Sequence, residues 1–108
     1  MGKIIRGTTP TLSFHVKNEM DLTQIAEVWI TFRTKAEVKI RETTYDLEDV
    51  TIDTEENNII LSLSQEDTLS FADTNMLMQL RLRMSDDMAY ASEIMDVTIG
   101  HILKDGVI

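Results

Sequence analysis

The sequence predicts an all-β fold: an antiparallel β-sandwich, immunoglobulin-like or jelly-roll-like, of about seven strands with one or two short helical turns. Three observations point there. Apolar residues alternate with polar ones in run after run, the period of a half-buried strand. Short clusters of turn-forming residues separate the runs, at spacings that suit hairpins. No stretch sustains a helical period for long, which leaves several evenly spaced short strands and the sandwich as the simplest arrangement. A length of 108 residues suits one domain, 1–108, with room for a two-layer core.

The runs can be taken in order. Residues 1–9 read as an N-terminal arm: Ile4 and Ile5 precede the turn-forming Arg6-Gly7-Thr8-Thr9. Pro10 then removes a ladder donor, which suits the start of a strand or a sheet edge. Leu12, Phe14 and Val16 share one face of the first strand; Val28, Ile30 and Phe32 share one face of the second. Val38 and Ile40 mark a third, Val50 and Ile52 a fourth, and Ile59, Leu61 and Leu63 a fifth. Met76, Met78, Leu80, Leu82 and Met84 make a long sixth. The seventh, "MAYASEIMDVTIG", changes phase: Tyr90 and Ile94 sit at even positions, Met95, Val97 and Ile99 at odd ones. A shift of one residue within a strand is what a β-bulge produces. Phe14, Ile30, Phe32, Leu61, Leu80, Leu82 and Val97 are the expected core.

Two links have helical character. In "DLTQIAE", Asp21 is placed to cap a short turn, and in "SQEDTLSF", Ser64 followed by Asp67 resembles a capping box. Leu69 and Phe71 would then close one end of the sandwich. Residues 101–108, His101-Ile102-Leu103-Lys104-Asp105-Gly106-Val107-Ile108, read as a C-terminal arm that is apolar enough to need a cover.

Composition narrows the function classes. The formal net charge is −9, from 19 acidic and 10 basic side chains. Such a surface repels phosphate backbones, so no nucleic-acid partner is expected. There is no cysteine, which excludes disulfides and thiolate metal sites. No run approaches the ~18 apolar residues of a membrane span, and none has the pattern of a secretion signal. Synthesis in the cytoplasm and no membrane partner are the expectations.

Candidate chemistry is sparse. Asp46, Glu48, Asp49, Asp53, Glu55 and Glu56 cluster in loops, without the spacing or the glycine of a calcium loop. Asp86-Asp87 reads as a hairpin tip. His15 and His101 are the two histidines, and neither has a neighbouring nucleophile or orienting group. The expectation is therefore no catalytic, cofactor-binding or metal-binding residue, and no cofactor.

Features of an interface are easier to find. Trp29, the sole tryptophan, points away from the face of Val28, Ile30 and Phe32. It is either an exposed anchor or a ring shielded by a neighbouring side chain. Arg81 and Arg83 fall on the outward face of the sixth strand. Arg33, Lys39 and Arg41 alternate with inward residues in the same way. These outward charges either pair across strands with Glu37 or Glu42 or make a polar body that docks in one orientation, with Arg81 and Arg83 against an acidic partner. Ile4, Ile5, Ile102, Leu103, Val107 and Ile108 complete the interface candidates, the last four either as an assembly arm or as an edge strand.

The stretches "RGTTPTLSF", "ITFRTK", "LSLSQEDTLSF", "MQLRLRMSDDMAYAS" and "ILKDGVI" resemble small structural proteins encoded by phages and prophages of Gram-positive bacteria. "DLTQIAEVWITFR" is loosely similar to the N-terminal domain of baseplate upper (receptor-binding) proteins, a β-sandwich that attaches to the tail. The resemblance implies a non-enzymatic virion protein, a tail or baseplate accessory subunit. Its partners would be phage structural proteins, further copies of itself in a homo-oligomer, or both. It implies location in the virion after synthesis in the bacterial cytoplasm. The alternative, from the short, acidic, cysteine-free composition, is a phage-encoded inhibitor that binds a host protein.

Overall fold

The computed structural model describes residues 3–17, 19–35, 42–71 and 75–108. The expected strand at Val38 and Ile40 lies largely outside them, as do Glu37, Lys39 and Arg41. Within them the chain is an all-β, sandwich-like fold of two sheets, with nine strands, one short helix and two 3-10 turns among the described residues. The strands are β1 (Lys3–Ile5), β2 (Thr11–His15), β3 (Ile25–Thr34), β4 (Glu42–Tyr45), β5 (Val50–Asp53), β6 (Asn58–Ser62), β7 (Met76–Met84), β8 (Ala89–Ala91) and β9 (Met95–Gly100). Helix α1 covers Gln65–Ser70, and the 3-10 turns Leu22–Gln24 and Leu47–Asp49.

A six-stranded sheet runs in the order β1-β9-β7-β3-β4, with β8 also paired to β7. A three-stranded sheet, β2-β6-β5, is the second layer. Its place at the edge of that layer gives β2 room for Pro10 just before its first residue. The longest pairing is antiparallel, β3 on β7, from Ile25 opposite Met84 to Thr34 opposite Met76, with one irregularity between Ile25 and Glu27. In this register Val28, Ile30 and Phe32 stand beside Leu82, Leu80 and Met78 on one face. All six are buried. Ile59, Leu61 and Leu63 meet them from the small sheet, and Val97 and Ile99 from β9, in one apolar cluster. Phe32 sits at its centre, fully buried, with ring centroids 5.1 Å from Phe71 and 6.0 Å, edge-on, from Tyr45.

Of the expected core, six residues are buried; Phe14 is half-buried against the cluster. Its strand is an edge, with one side of its ring open.

The change of phase after residue 88 has a structural counterpart. β8 and β9 lie along the same side of β7, at Arg81–Arg83 and Met76–Met78 respectively. Their registers differ by one residue, taken up at Ser92-Glu93-Ile94. Ser92 bridges the break: its backbone N–H donates to the Leu80 carbonyl at 2.8 Å, and its Oγ accepts from the Leu80 N–H at 3.0 Å. The expected seventh strand is thus two short strands around a bulge-like interruption.

Local capping follows the sequence. Asp21 accepts from the Thr23 N–H at 3.0 Å and caps the first 3-10 turn. Ser64 and Asp67 form a reciprocal capping box at the start of α1. Asp46 and Asp49 do the same for the second 3-10 turn.

The beginning of the chain corrects an expectation. Lys3–Ile5 is a strand, parallel to β9 with Ile4 opposite Ile99, and is the parallel exception in the antiparallel scheme. Ile4 is 4% exposed, so it belongs to the core of its own chain, not to an assembly arm. The alternating side chain of a strand that covers β9 has nowhere else to go. Ile5 is half-buried.

The turn-forming residues that follow join the layers. Gly7, at φ +76, turns the chain where an added Cβ would stand 3.3 Å from Ile102 Cδ1. Thr68 Oγ1 donates to the Thr8 carbonyl at 2.9 Å, and the Leu63 N–H to the Pro10 carbonyl at 3.0 Å. Arg6 donates through Nη2 to the Leu69 carbonyl at 2.9 Å and pairs through Nη1 with Asp105 at 3.1 Å.

Two substitutions test this packing by urea unfolding. Phe32→Ala should cost about 3–5 kcal/mol, as for a fully buried aromatic ring. Ser64→Ala, which removes a cap, should cost about 1 kcal/mol with an unchanged denaturant slope.

Candidate functional site

The outer face of the large sheet is built by the same register that fills the core. With Ile30 and Leu80 inward, Trp29 and Arg81 face outward directly opposite each other. The Arg81 guanidinium carbon lies 5.6 Å from the centre of the Trp29 ring, a cation–π contact. Trp29 remains 47% exposed. Arg81 screens one side of the ring, and about half of its surface stays open. Among the described residues no carboxylate is within ion-pair distance of Arg81.

The neighbouring rows explain the relief of the face. Arg81 is followed across the sheet by Ala91, and Arg83, flanked by Glu27, is followed by Ala89. The small Ala89 leaves a depression of about 130 Å³ beside the Trp29–Arg81 pair. On the other side Thr31, Thr44 and Gln79 lie between longer side chains, and a hollow of about 330 Å³ opens towards Leu77, Ile94, Arg33 and Glu42. The pair is thus a ridge between two hollows. Ile94, 63% exposed, and half-buried Leu77 add apolar surface.

Arg83 pairs with Asp87 on its own hairpin, Nη1 to Oδ1 3.4 Å; Arg33 stands opposite Glu42 across β3 and β4, and Glu37 lies outside the described residues. Arg83 and Asp87 are both well exposed, so their pair contributes little to stability. Glu27 is occupied internally: its Oε1 accepts from the backbone N–H groups of Val28 and Leu47.

A second exposed apolar set lies in residues 101–108, which contain no strand. Leu103 and Ile108 are fully exposed, Val107 is 55% exposed, and Ile102 is half-buried. The Gln65 side chain holds Ile108 by two hydrogen bonds, donating to its carbonyl at 3.1 Å and accepting from its N–H at 2.9 Å. With the Arg6–Asp105 pair, these contacts hold the segment against α1 and the first turn. A cleft of about 460 Å³ between the sheets is lined by Val16, Met20, Leu80, Leu82 and Tyr90, with His15 at its rim.

The candidates thus divide into Trp29, Arg81 and Arg83 on the sheet face, Ile102, Leu103, Val107 and Ile108 in the closing segment, and Ile4 and Ile5 in β1. Sequence reading missed Leu77 and Ile94. Leu77 shares the outward phase of Arg81 and was legible; the position of Ile94 depends on the interruption between β8 and β9.

The acidic loops turn their carboxylates on their own backbone. Asp53 Oδ1 accepts from the N–H groups of Glu55 and Glu56, and Asp86 Oδ1 from that of Met88. Asn57 and Asp87 take the positive φ values of these turns. Among the described residues no group of three or more His, Cys, Asp or Glu side chains is placed to hold a metal ion. His15 Nδ1 lies 3.0 Å from Asn58 Oδ1, a cross-strand contact on an exposed edge. No helix among the described residues is long and apolar enough to cross a membrane.

The Tyr45 hydroxyl is buried, with the Asp67 carboxylate as its nearest polar group. Burial first, then the nearby carboxylates of Asp67 and Asp49, raise its pKa above the ordinary tyrosine range. The two hydrogen bonds from Thr23 lower the pKa of the Asp21 carboxyl.

No protein-family model matches the chain, and no curated protein matches it in sequence.

Two measurements follow from this geometry. Above the ordinary tyrosine pKa of about 10, the unfolded chain loses the Tyr45 proton while the folded chain keeps it. Stability should therefore fall with rising pH there, and Tyr45→Phe should flatten that part of the curve. In the dilute monomer the emission of Trp29, the sole tryptophan, should be quenched by iodide, and Trp29→Ala should change the monomer's unfolding stability by less than ~1 kcal/mol.

Proposed function

We propose that this protein is a non-enzymatic phage virion component, a tail or baseplate accessory subunit that acts through protein–protein contacts. The observation that carries the reading is the pairing of a rigid two-layer body with exposed apolar surface in two places, the Trp29 face and the Leu103–Ile108 segment. Surface of this kind marks interaction sites. An aromatic ring beside an arginine is the composition of interface hot spots. The sequence resemblance to phage structural proteins supports the virion as the setting. Six aspartates, Asp21, Asp46, Asp49, Asp53, Asp67 and Asp86, are engaged by the backbone of their own turns and caps, which fits a role in contact.

The net charge of −9 favours the second reading, an inhibitor that occupies a basic cleft on a host protein. Mass spectrometry of purified particles from the phage that carries the gene separates the two. The virion reading expects the protein in particles at a fixed ratio to tail proteins. Its consistent absence, with one host enzyme recovered on affinity capture from infected cells, would replace it with the inhibitor.

Deletion of residues 103–108 tests the closing segment. The truncated protein should keep its fold, because only exposed hydrogen bonds and one surface ion pair are lost, and should be depleted from particles. Loss of the native fold would make the segment part of the monomer core.

A further inference from the structure

We propose that the outer face of the six-stranded sheet is a two-fold interface that binds a second copy of this chain, face to face across the Trp29–Arg81 ridge. The inference deepens the assembly reading and rests on it for its setting, but its geometry is independent of any virion.

Shape is the first argument. A two-fold interface brings the same patch together on both copies, so the patch must contain both a protrusion and a matching recess. This face has both side by side: the Trp29–Arg81 ridge and, one row along, the hollow of about 330 Å³ floored by Thr31, Thr44 and Gln79. With the two-fold axis between these rows, each ridge enters the hollow of the other copy. The ridge then lies over the row of the second copy that holds Arg33 and Leu77, with Ile94 beside Leu77 and Glu42 beside Arg33. Thr31, half-buried and lining the hollow one row from the ridge, lies close to the axis.

Charge is the second. The chain as a whole is strongly acidic, and a random pair of its surfaces would repel. Arg33, Arg81 and Arg83 nevertheless all project on this face, from β3 and β7. Arg81 has no carboxylate partner of its own among the described residues, whereas Glu42 lines the hollow that the second copy's ridge would enter. The face therefore carries both signs of charge, Arg81 on the ridge and Glu42 at the hollow, and their pairing between copies favours this orientation.

Area is the third. With the strands' own lengths, 3, 6, 9, 10 and 4 residues along the path and 3 in β8, strand spacing and rise per residue give a face of roughly 560 Å². That is most of the ~800 Å² that each partner contributes to a standard stable interface, as suits a reversible monomer–dimer equilibrium.

The absence of cysteine from the chain makes the test direct. The full-length protein is measured by sedimentation over a range of concentrations, and the native fold of each variant is checked by its thermal transition. The proposal expects a monomer–dimer equilibrium. Trp29→Ala and Arg81→Glu should each weaken it more than tenfold, whereas Ser62→Ala on the small sheet should leave it unchanged. In a separate readout, Thr31→Cys should form an oxidised dimer rapidly at low protein concentration, and Ser62→Cys should not. A monomer at all concentrations would overturn the proposal. So would a dimer that is indifferent to both face variants, or cross-linking through Ser62→Cys in place of Thr31→Cys. A monomeric protein that is incorporated into particles would leave the assembly reading intact and remove this interface. A dimer of this geometry that is absent from particles would do the reverse.

Discussion

The antiparallel pairing of β3 with β7 is the constraint on which the rest of the structure depends. Both strands are long, and both alternate apolar with polar residues. A slip of one residue in either would turn its whole apolar set to solvent, so the core burial of Val28, Ile30 and Phe32 against Met78, Leu80 and Leu82 admits a single register. The outward face is then not free to vary. The register that places Ile30 beside Leu80 places Trp29 beside Arg81, and the candidate interface is the reverse side of the core.

The remaining elements cover what this pair leaves open. The small sheet closes one face with Ile59, Leu61 and Leu63, and Phe71 at the end of α1 seals the core beside Phe32. Helix α1 is too short to be stable by itself and is held from both sides. Its own capping box satisfies its first turn, and Thr68 and Leu69 bind the turn that follows β1. Arg6 is the junction: its side chain reaches both α1 and Asp105, while its backbone N–H donates to Gly100 at 3.1 Å. The turn-forming residues before the first long run therefore fasten the helix and the closing segment to the sheets.

The charge distribution has a local origin with a global consequence. Acidic residues are concentrated where short turns need acceptors for free backbone N–H groups, as at Asp21, Asp46, Asp53 and Asp86. Arg33, Arg81 and Arg83 sit at outward strand positions, where a long side chain can lie along the sheet. One fold therefore presents acidic ends and a partly basic face. An acidic protein with a basic, aromatic face has a preferred direction of approach to any partner.

Most strands, the caps at Asp21 and Ser64, and the outward position of Trp29 were legible in the sequence, because period-two alternation and side-chain caps are local and their physics acts within a few residues. The phase shift near Ser92 was legible for the same reason, as a bulge, although not as two strands sharing one edge. Other features were not. Ile4 and Ile5 read as an exposed arm because nothing nearby in sequence shows that β9 has a free edge to be covered. The hollows beside Trp29 arise from Ala89 and from threonines that are distant in sequence and adjacent only after β8 and β4 dock. By itself the sequence determined which residues alternate, where the chain turns and which side chains must be buried. The tertiary structure alone decided which strands are neighbours, and so which outward side chains form a surface, because cross-strand contacts depend on pairing and register between segments far apart in the chain.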